Sequence, residues 1–570
     1  KHETTKQRTE TSQPAQRRMH TSRIVLLALT VVLLSVRAEA GAAPFTRPWQ
    51  ESDTWTLWPM PSHVTSGTAS ATVGVLSFST SFPSSFFEAD SSSSRAASNN
   101  GTAQSLLNGV IARAQKTAFV FPTSAHDGTM KVHITVQSTS TALKLGVDES
   151  YTLTVNATDA KITASTVWGA MYGVQTLMQV FHYDYNKGVY YATHLPIEVN
   201  DSPRFPWRGL LLDTARHYLL VDEIKHQIDA LAYNKLNVLH WHTIDAQSFP
   251  ICSKTRPELC DKGAYAAAAK YQPSDVEAIV QYGFERGVRV VPEFDMPGHA
   301  YSWGFGDPSV VSMCPSNLAG NINNFPLDPS QQHTFEVVND FLADMFQLFT
   351  DEFVHLGGDE VVFSCWSENP TVSSWMRTQG FTTIGQVEQY FLNQILPTVT
   401  ARNMKFLCWQ ELFQNGVKLP SSSIVQVWKD APTLDSVLSA GHQGILSYGW
   451  YLDQQVPDPP TTHYEWEDTY IDFYNNEPTN GLSSSADLSK LLGGEAAMWG
   501  EQVDSVNFDG RVWPRACAVA ERLWSPKSVN VVADATNRLV GHRCWMAQRG
   551  IRAGPIAPDY CPIPAGVFSP

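Results

Sequence analysis

The rhythm of hydrophobic and polar positions changes near residue 205. Before it, "KVHITVQ" (131–137) and "SYTLTVN" (150–156) alternate apolar and polar residues, the period of half-buried strands. "ASTVWGAMYGVQTLMQVF" (164–181) instead has helical apolar spacing. These runs predict a small α/β domain over residues 44–203. A Ser-, Asn- and Ala-rich surface loop at 81–101 interrupts it, and the proline-containing linker "DSPRFPWRG" (201–209) ends it. After the linker, over 204–565, short β-rich runs recur: "GLLLDT" (209–214), "NVLHWHTI" (237–244), "VRVVPEFD" (288–295), "FVHLGG" (353–358), "KFLCWQ" (405–410), "IVQVWK" (424–429), "ILSYGWY" (445–451) and "GGEAAMW" (493–499). Helical stretches such as 221–235 and 273–287 separate them. Eight βα units predict a (β/α)8 TIM barrel, with a doubly wound sheet as the structural rival.

In a barrel the C-terminal strand ends build the active site. Those ends supply Asp213, Arg216, His242, Asp245, Glu293, Asp295, His299, Asp359, Glu360, Trp409, Glu411, Trp428, Trp450, Tyr451, Asp453, Trp499 and Glu501. Each Trp taken singly reads as core packing, but indoles recurring at strand ends make a pocket wall. Such walls pack the C–H faces of sugars, whose hydroxyls pair with Asp, Glu and Arg. "HLGGDE" (355–360) sets two carboxylates side by side. Neighbours in a strand point to opposite faces, so both reach one cavity only where the pleat ends, which Gly357 and Gly358 permit. Adjacent carboxylates do not fit the usual glycosidase pair, about 5 Å or roughly 6.5–9.5 Å apart across the bond. On its own the string also reads as a polar turn.

Composition narrows the ligand. A net charge of −15 argues against nucleic acid. The run "RIVLLALTVVLLSV" (23–36), behind Arg17, Arg18 and Arg23 and before "AEA" (38–40), reads as a signal peptide over 19–40 with 1–18 an upstream extension. At about 14 apolar residues it is short for an anchor, which needs roughly 20, so no membrane span is expected after cleavage. All eight cysteines follow residue 250, and Cys252 with Cys260 and Cys544 with Cys561 are candidate local staples. Asn100 and Asn156 begin glycosylation sequons.

"HLGGDE", "RGLLLDTARHYL" (208–220), "HWHTID" (240–245), "EFDMPGHAYSWG" (293–304), "QVWKD" (426–430) and "GGEAAMWGE" (493–501) resemble, in order, the β-N-acetylhexosaminidases of glycoside hydrolase family 20, lysosomal type. The resemblance covers nearly all of residues 44–565. It implies exo-acting removal of terminal GlcNAc or GalNAc by a retaining route in which the substrate's acetamido oxygen is the nucleophile. Glu360 then matches the general acid/base, and Asp359 the residue that orients the acetamido nitrogen and stabilises the oxazolinium ion. Tyr451 matches the donor to the acetamido carbonyl, and Trp409, Trp428 and Trp499 the box around its methyl group. Arg216, Asp453 and Glu501 match groups holding sugar hydroxyls, and Asp245 with His299 a relay touching Glu360. The family disulfides fall at Cys314–Cys365 and Cys544–Cys561, leaving Cys408 and Cys517 as thiols. No cofactor or metal is implied, the compartment is lysosomal or secreted, and only the resemblance supports a homodimer. Two departures stand out: Asp453-Gln454 replaces an Asn-Arg pair of one isoform, favouring neutral glycans, and the first domain has no cysteine. From the neighbouring charge and burial we expect a raised Glu360 pKa and an acidic optimum. Two other classes compete: a metal-dependent hydrolase on His240, His242, Asp245, His299 and Asp359, and an inactive carbohydrate-binding protein.

Overall fold

The computed structural model describes residues 56–83, 102–123, 128–453, 455–457, 464–466 and 469–568. The leader reading at 1–40, Asn100, most of the 81–101 loop and Gln454 lie outside the described residues. Seven strands make the first sheet: β1 (His63–Thr72), β2 (Val75–Ser81), β3 (Thr129–Val136), β4 (Tyr151–Val155), β5 (Asp159–Ala164), β6 (His182–Asp184) and β7 (Val189–Asp201). Their order is β1-β7-β4-β5-β3-β2, with β6 paired to β7. Residues of β3, β4 and β5 alternate between buried and more exposed, so one face carries the core. Helices α1 (Ala103–Thr117) and α2 (Val167–Met178) cover it, and α2 comes close because Gly169 and Gly173 leave room for the Ser150 carbonyl and Ile162.

Every one of the eight predicted runs supplies a barrel strand. These are β8 (Trp207–Asp213), β9 (Val238–His242), β10 (Arg289–Glu293), β11 (Phe353–His355), β12 (Lys405–Trp409), β13 (Ile424–Val427) and β14 (Gln443–Leu446). After a two-stranded hairpin of β15 (Gln455–Pro457) and β16 (Tyr464–Trp466) comes the last, β17 (Leu491–Met498). All eight are parallel and close on themselves through β17–β8, which removes the doubly wound alternative.

The barrel interior is tiered. One apolar residue from each strand, from Trp207 and Val238 round to Ile445 and Leu492, plugs the N-terminal end. Above the plug sit buried polar groups: Glu495 accepts hydrogen bonds from Trp207 Nε1 (3.0 Å) and Gln426 Nε2 (2.9 Å) and lies 2.6 Å from His240 Nδ1. These buried hydrogen bonds tie neighbouring barrel strands together beneath the strand ends.

The first domain is tied to the barrel by buried charge. Arg208 of β8 donates to both oxygens of Glu149 (2.9 and 2.8 Å), and Lys235 Nζ to Asp201 (2.9 Å), which also accepts from Tyr151 and Trp524. Removing one partner of such a pair leaves an uncompensated buried charge. Glu149→Ala should therefore destabilise the protein by about 3–5 kcal/mol, read from urea unfolding. A loss under ~1 kcal/mol would mean that Arg208 is solvated without its partner.

Disulfides join Cys252–Cys260, Cys314–Cys365 and Cys544–Cys561, while Cys408 and Cys517 are buried thiols. Asn156 is partly exposed at the β4–β5 turn. Among the described residues no helix is long and apolar enough to cross a membrane.

Candidate active site

The adjacent carboxylates sit where β11 ends and the chain turns left-handed. Gly357 and Gly358 have φ of +67° and +95°, and Glu360 itself +48°. A Cβ on Gly357 would lie 1.7 Å from Asp295 Oδ1, and one on Gly358 2.7 Å from Leu412 Cγ, so both positions exclude side chains. Left-handed backbone at Glu360 costs on the order of 1–3 kcal/mol, a strain typical of residues held for chemistry. The turn aims both carboxylates at one imidazole: His299 Nε2 is 3.5 Å from Glu360 Oε2 and 3.9 Å from Asp359 Oδ2.

Behind His299 runs a chain of charges. Its Nδ1 is 3.2 Å from Asp245 Oδ1, and the other Asp245 oxygen meets Arg216 Nη2 (2.7 Å) and His242 Nε2 (3.0 Å). Arg216 is fixed further by Asp213 (3.0 Å) and by Gln247, and lies 3.8 Å from Glu501. His242 Nδ1 continues to Glu293 (2.6 Å), which accepts from Trp409 Nε1 at 2.7 Å. The chain of contacts thus reaches from the adjacent carboxylates to the indole wall.

That wall gathers four of the predicted aromatics. Trp409, Tyr451 and Trp499 share one buried cluster, and Trp428 packs against it. Trp409 and Trp499 are 5.9 Å apart, Trp428 stacks on Tyr451 at 5.9 Å, and Arg216 lies 5.1 Å over Trp499. Trp450 is the exception among the strand-end aromatics. Its indole turns into the core, donates to the Phe473 carbonyl (3.0 Å) and packs on Gly494.

Titration behaviour differs from the sequence expectation. Glu360 is not raised: the hydrogen bond from His299 holds it below the usual glutamate range, and its side chain is 57% exposed. Asp359, 13% exposed, is the carboxyl pushed up, to about 7, by burial and by the charges of Glu411, Glu293 and Glu360 acting against His299. Burial would lower His299, but Asp245 outweighs it and keeps the imidazole well above its ordinary value. Asp245 itself is held far down, since Arg216 and His299 overcome its burial. Burial and the Glu501 charge lift Asp453 to about 7, and burial keeps the Tyr451 phenol protonated as a donor. Asp359 Oδ1 and Asp453 Oδ1 are buried acceptors without a hydrogen-bond partner among the described residues. Such atoms are open to a hydrogen bond from a water or a ligand.

His240 and His242 are both taken up in ion pairs with buried carboxylates. His240 lies between Glu495 and Glu293 and is raised to about 9 despite burial, and His242 is likewise raised well above its ordinary value, by Glu293 and Asp245.

A family model described as "Glycosyl hydrolase family 20, catalytic domain" matches residues 205–527, and one described as "beta-acetyl hexosaminidase like" matches 57–180. The chain belongs to glycosyl hydrolase family 20. Within the family, it is 42% identical over 430 residues to beta-hexosaminidase subunit A1 of Dictyostelium discoideum, covering 75% of this chain and 79% of that protein. It is 41% identical over 436 residues to human beta-hexosaminidase subunit beta, covering 75% and 76%. The solved chitobiase of Flavobacterium johnsoniae matches with a TM-score of 0.72 at 28% identity, over 88% of this chain and 74% of that one.

The family 20 site also recruits groups that the sequence reading left without a role or did not name. Glu293, Asp213 and Glu411 were among the strand-end residues; Gln247, Gln410 and Lys429 were not. A Glu inside the apolar run of β17 and a Gln inside that of β13 were the readable signs of a polar barrel floor.

Proposed function

We propose that the protein is an exo-acting β-N-acetylhexosaminidase that removes terminal GlcNAc and GalNAc from oligosaccharides and glycoconjugates. The barrel, residues 204–565, performs catalysis, and residues 44–203 form its N-terminal partner domain. The observation that carries the reading is the buried, unpartnered Asp359 oxygen beside an exposed Glu360, in a site walled by Trp409, Trp428, Trp499 and Tyr451. An acetamido group supplies the N–H that Asp359 lacks, an apolar methyl for the indoles and a carbonyl for the Tyr451 hydroxyl. With Asp359 and Tyr451 aligning it, the acetamido oxygen attacks the anomeric carbon while Glu360 protonates the departing oxygen. Asp359 then stabilises the oxazolinium cation, and Glu360, now ionised, takes a proton from the water that opens it. Arg216, Glu501 and Asp453 hold the sugar hydroxyls, and Asp245 fixes the His299 ring that faces Glu360.

The active pair carries one proton, which sits on Asp359 in the free protein and passes to Glu360 when the bound acetamido N–H favours an ionised Asp359. Raising pH through about 7, where Asp359 titrates in the free protein, removes that proton and leaves no acid. Lowering pH below the ordinary glutamate range adds a second and cancels the charge that stabilises the intermediate. kcat/KM is therefore expected to form a bell with an acidic optimum, measured with 4-methylumbelliferyl β-GlcNAc and β-GalNAc from acidic to neutral pH. Efficiency rising through neutrality would overturn the protonation scheme, and no turnover of either glycoside would overturn the activity. Neutral glycans are the preferred substrates, the secretory route or lysosome the compartment, and a homodimer the assembly expected from lysosomal relatives.

A further inference from the structure

The three indoles of the wall are anchored differently. Trp409 is fully buried, and its Nε1 donates to Glu293; Trp499 is buried beneath Arg216. Trp428 is only partly buried, so packing restrains it less than it does the other two. What holds it comes from the end of the neighbouring strand β12. The Gln410 side-chain Oε1 accepts the backbone N–H groups of both Trp428 (2.9 Å) and Lys429 (3.0 Å). The Glu411 carboxylate accepts Trp428 Nε1 at 3.2 and 3.1 Å through its two oxygens, and meets Lys429 Nζ at 2.6 Å. Lys429 in turn lies 4.5 Å over the indole ring. The indole is thus pinned at its nitrogen by Glu411 and covered on one face by Lys429, neither of which has been given a step in the mechanism above.

We propose that Glu411, with Lys429 as its counter-ion, is a positioning residue that locks the Trp428 wall against Tyr451 and so sets the size of N-acyl group the site accepts. The inference rests on the hexosaminidase reading. A wall held at the indole nitrogen keeps a tight box for a methyl group; a wall that swings admits a longer chain and holds the short one less well. Glu411→Ala removes both contacts, Glu411→Gln keeps an acceptor for Nε1 but loses the ion pair, and Trp428→Phe removes the donor.

The test compares β-glycosides of GlcNAc and of its N-propionyl and N-butyryl analogues for each variant. With Glu411→Ala, KM for the N-acetyl substrate is expected to rise about tenfold, kcat to fall less than about threefold, and discrimination against N-propionyl to shrink about tenfold. Glu411→Gln should fall between this variant and wild type. In a Trp428→Phe background the Glu411→Ala effects on acyl discrimination should vanish. If Glu411→Ala fails to fold, Glu411→Gln with Trp428→Phe carries the same comparison. Unchanged KM and unchanged acyl discrimination in folded variants would overturn the proposal while wild type still cleaves GlcNAc glycosides; a wild type that cleaves none would overturn the underlying reading instead.

Discussion

Glu360→Gln is expected to lower kcat by about 10²–10⁴-fold, the span usually attributable to a positioned acid/base. The amide keeps the volume, can meet the His299 ring and tolerates the left-handed backbone no worse than glutamate, so folding and binding should survive. What it loses is a transferable proton. That loss should scale with leaving group: largest for a chitobiose-type bond, whose departing alkoxide needs protonation, and smaller for 4-methylumbelliferone, which leaves unaided. Opening the oxazoline still needs a base, so even the activated glycoside should not return to wild-type turnover. KM for the activated substrate should fall or stay level if intermediate accumulates. Near-normal kcat on both substrates would remove Glu360 from the reaction and restore the binding-protein reading.

The barrel was legible because its strands are buried on both faces and read as continuous apolar runs. The first sheet was less so. β1, "HVTSGTASAT", is an edge strand with no buried residue, and nothing in its apolar pattern announces a strand; its partner β7 defines it. At the site, residue identities could be read but orientations could not. Trp450 and Tyr451 are neighbours at one strand end, and only the chain's turn decides that the tyrosine faces the site while the tryptophan faces Phe473. The protonation of the carboxylate pair was hidden for the same reason. Adjacency predicts that two like charges push each other's pKa up, but His299 approaches Glu360 more closely than Asp359 and lowers the one group while burial raises the other.

That asymmetry makes Asp359→Asn the more informative substitution. Asparagine keeps an acceptor for the acetamido N–H but carries no charge, so it should still orient the nucleophile while failing to stabilise the oxazolinium ion. The expected loss in kcat is about 10²–10³-fold, the magnitude for one preorganised electrostatic contact to charge that develops in the transition state. It should appear with 4-methylumbelliferyl glycosides as strongly as with natural bonds, because stabilising the cation does not depend on the leaving group. This separates it from Glu360→Gln. The pH profile should change as well. With Asp359 gone, the pair loses the member that titrates at about 7, and its remaining carboxyl, Glu360, is held below the usual glutamate range by His299. The residual activity needs Glu360 protonated, so its alkaline limb should move to lower pH than in wild type. A variant with the wild-type alkaline limb would assign that proton elsewhere, and one with near-normal kcat would show that the cation is stabilised without Asp359.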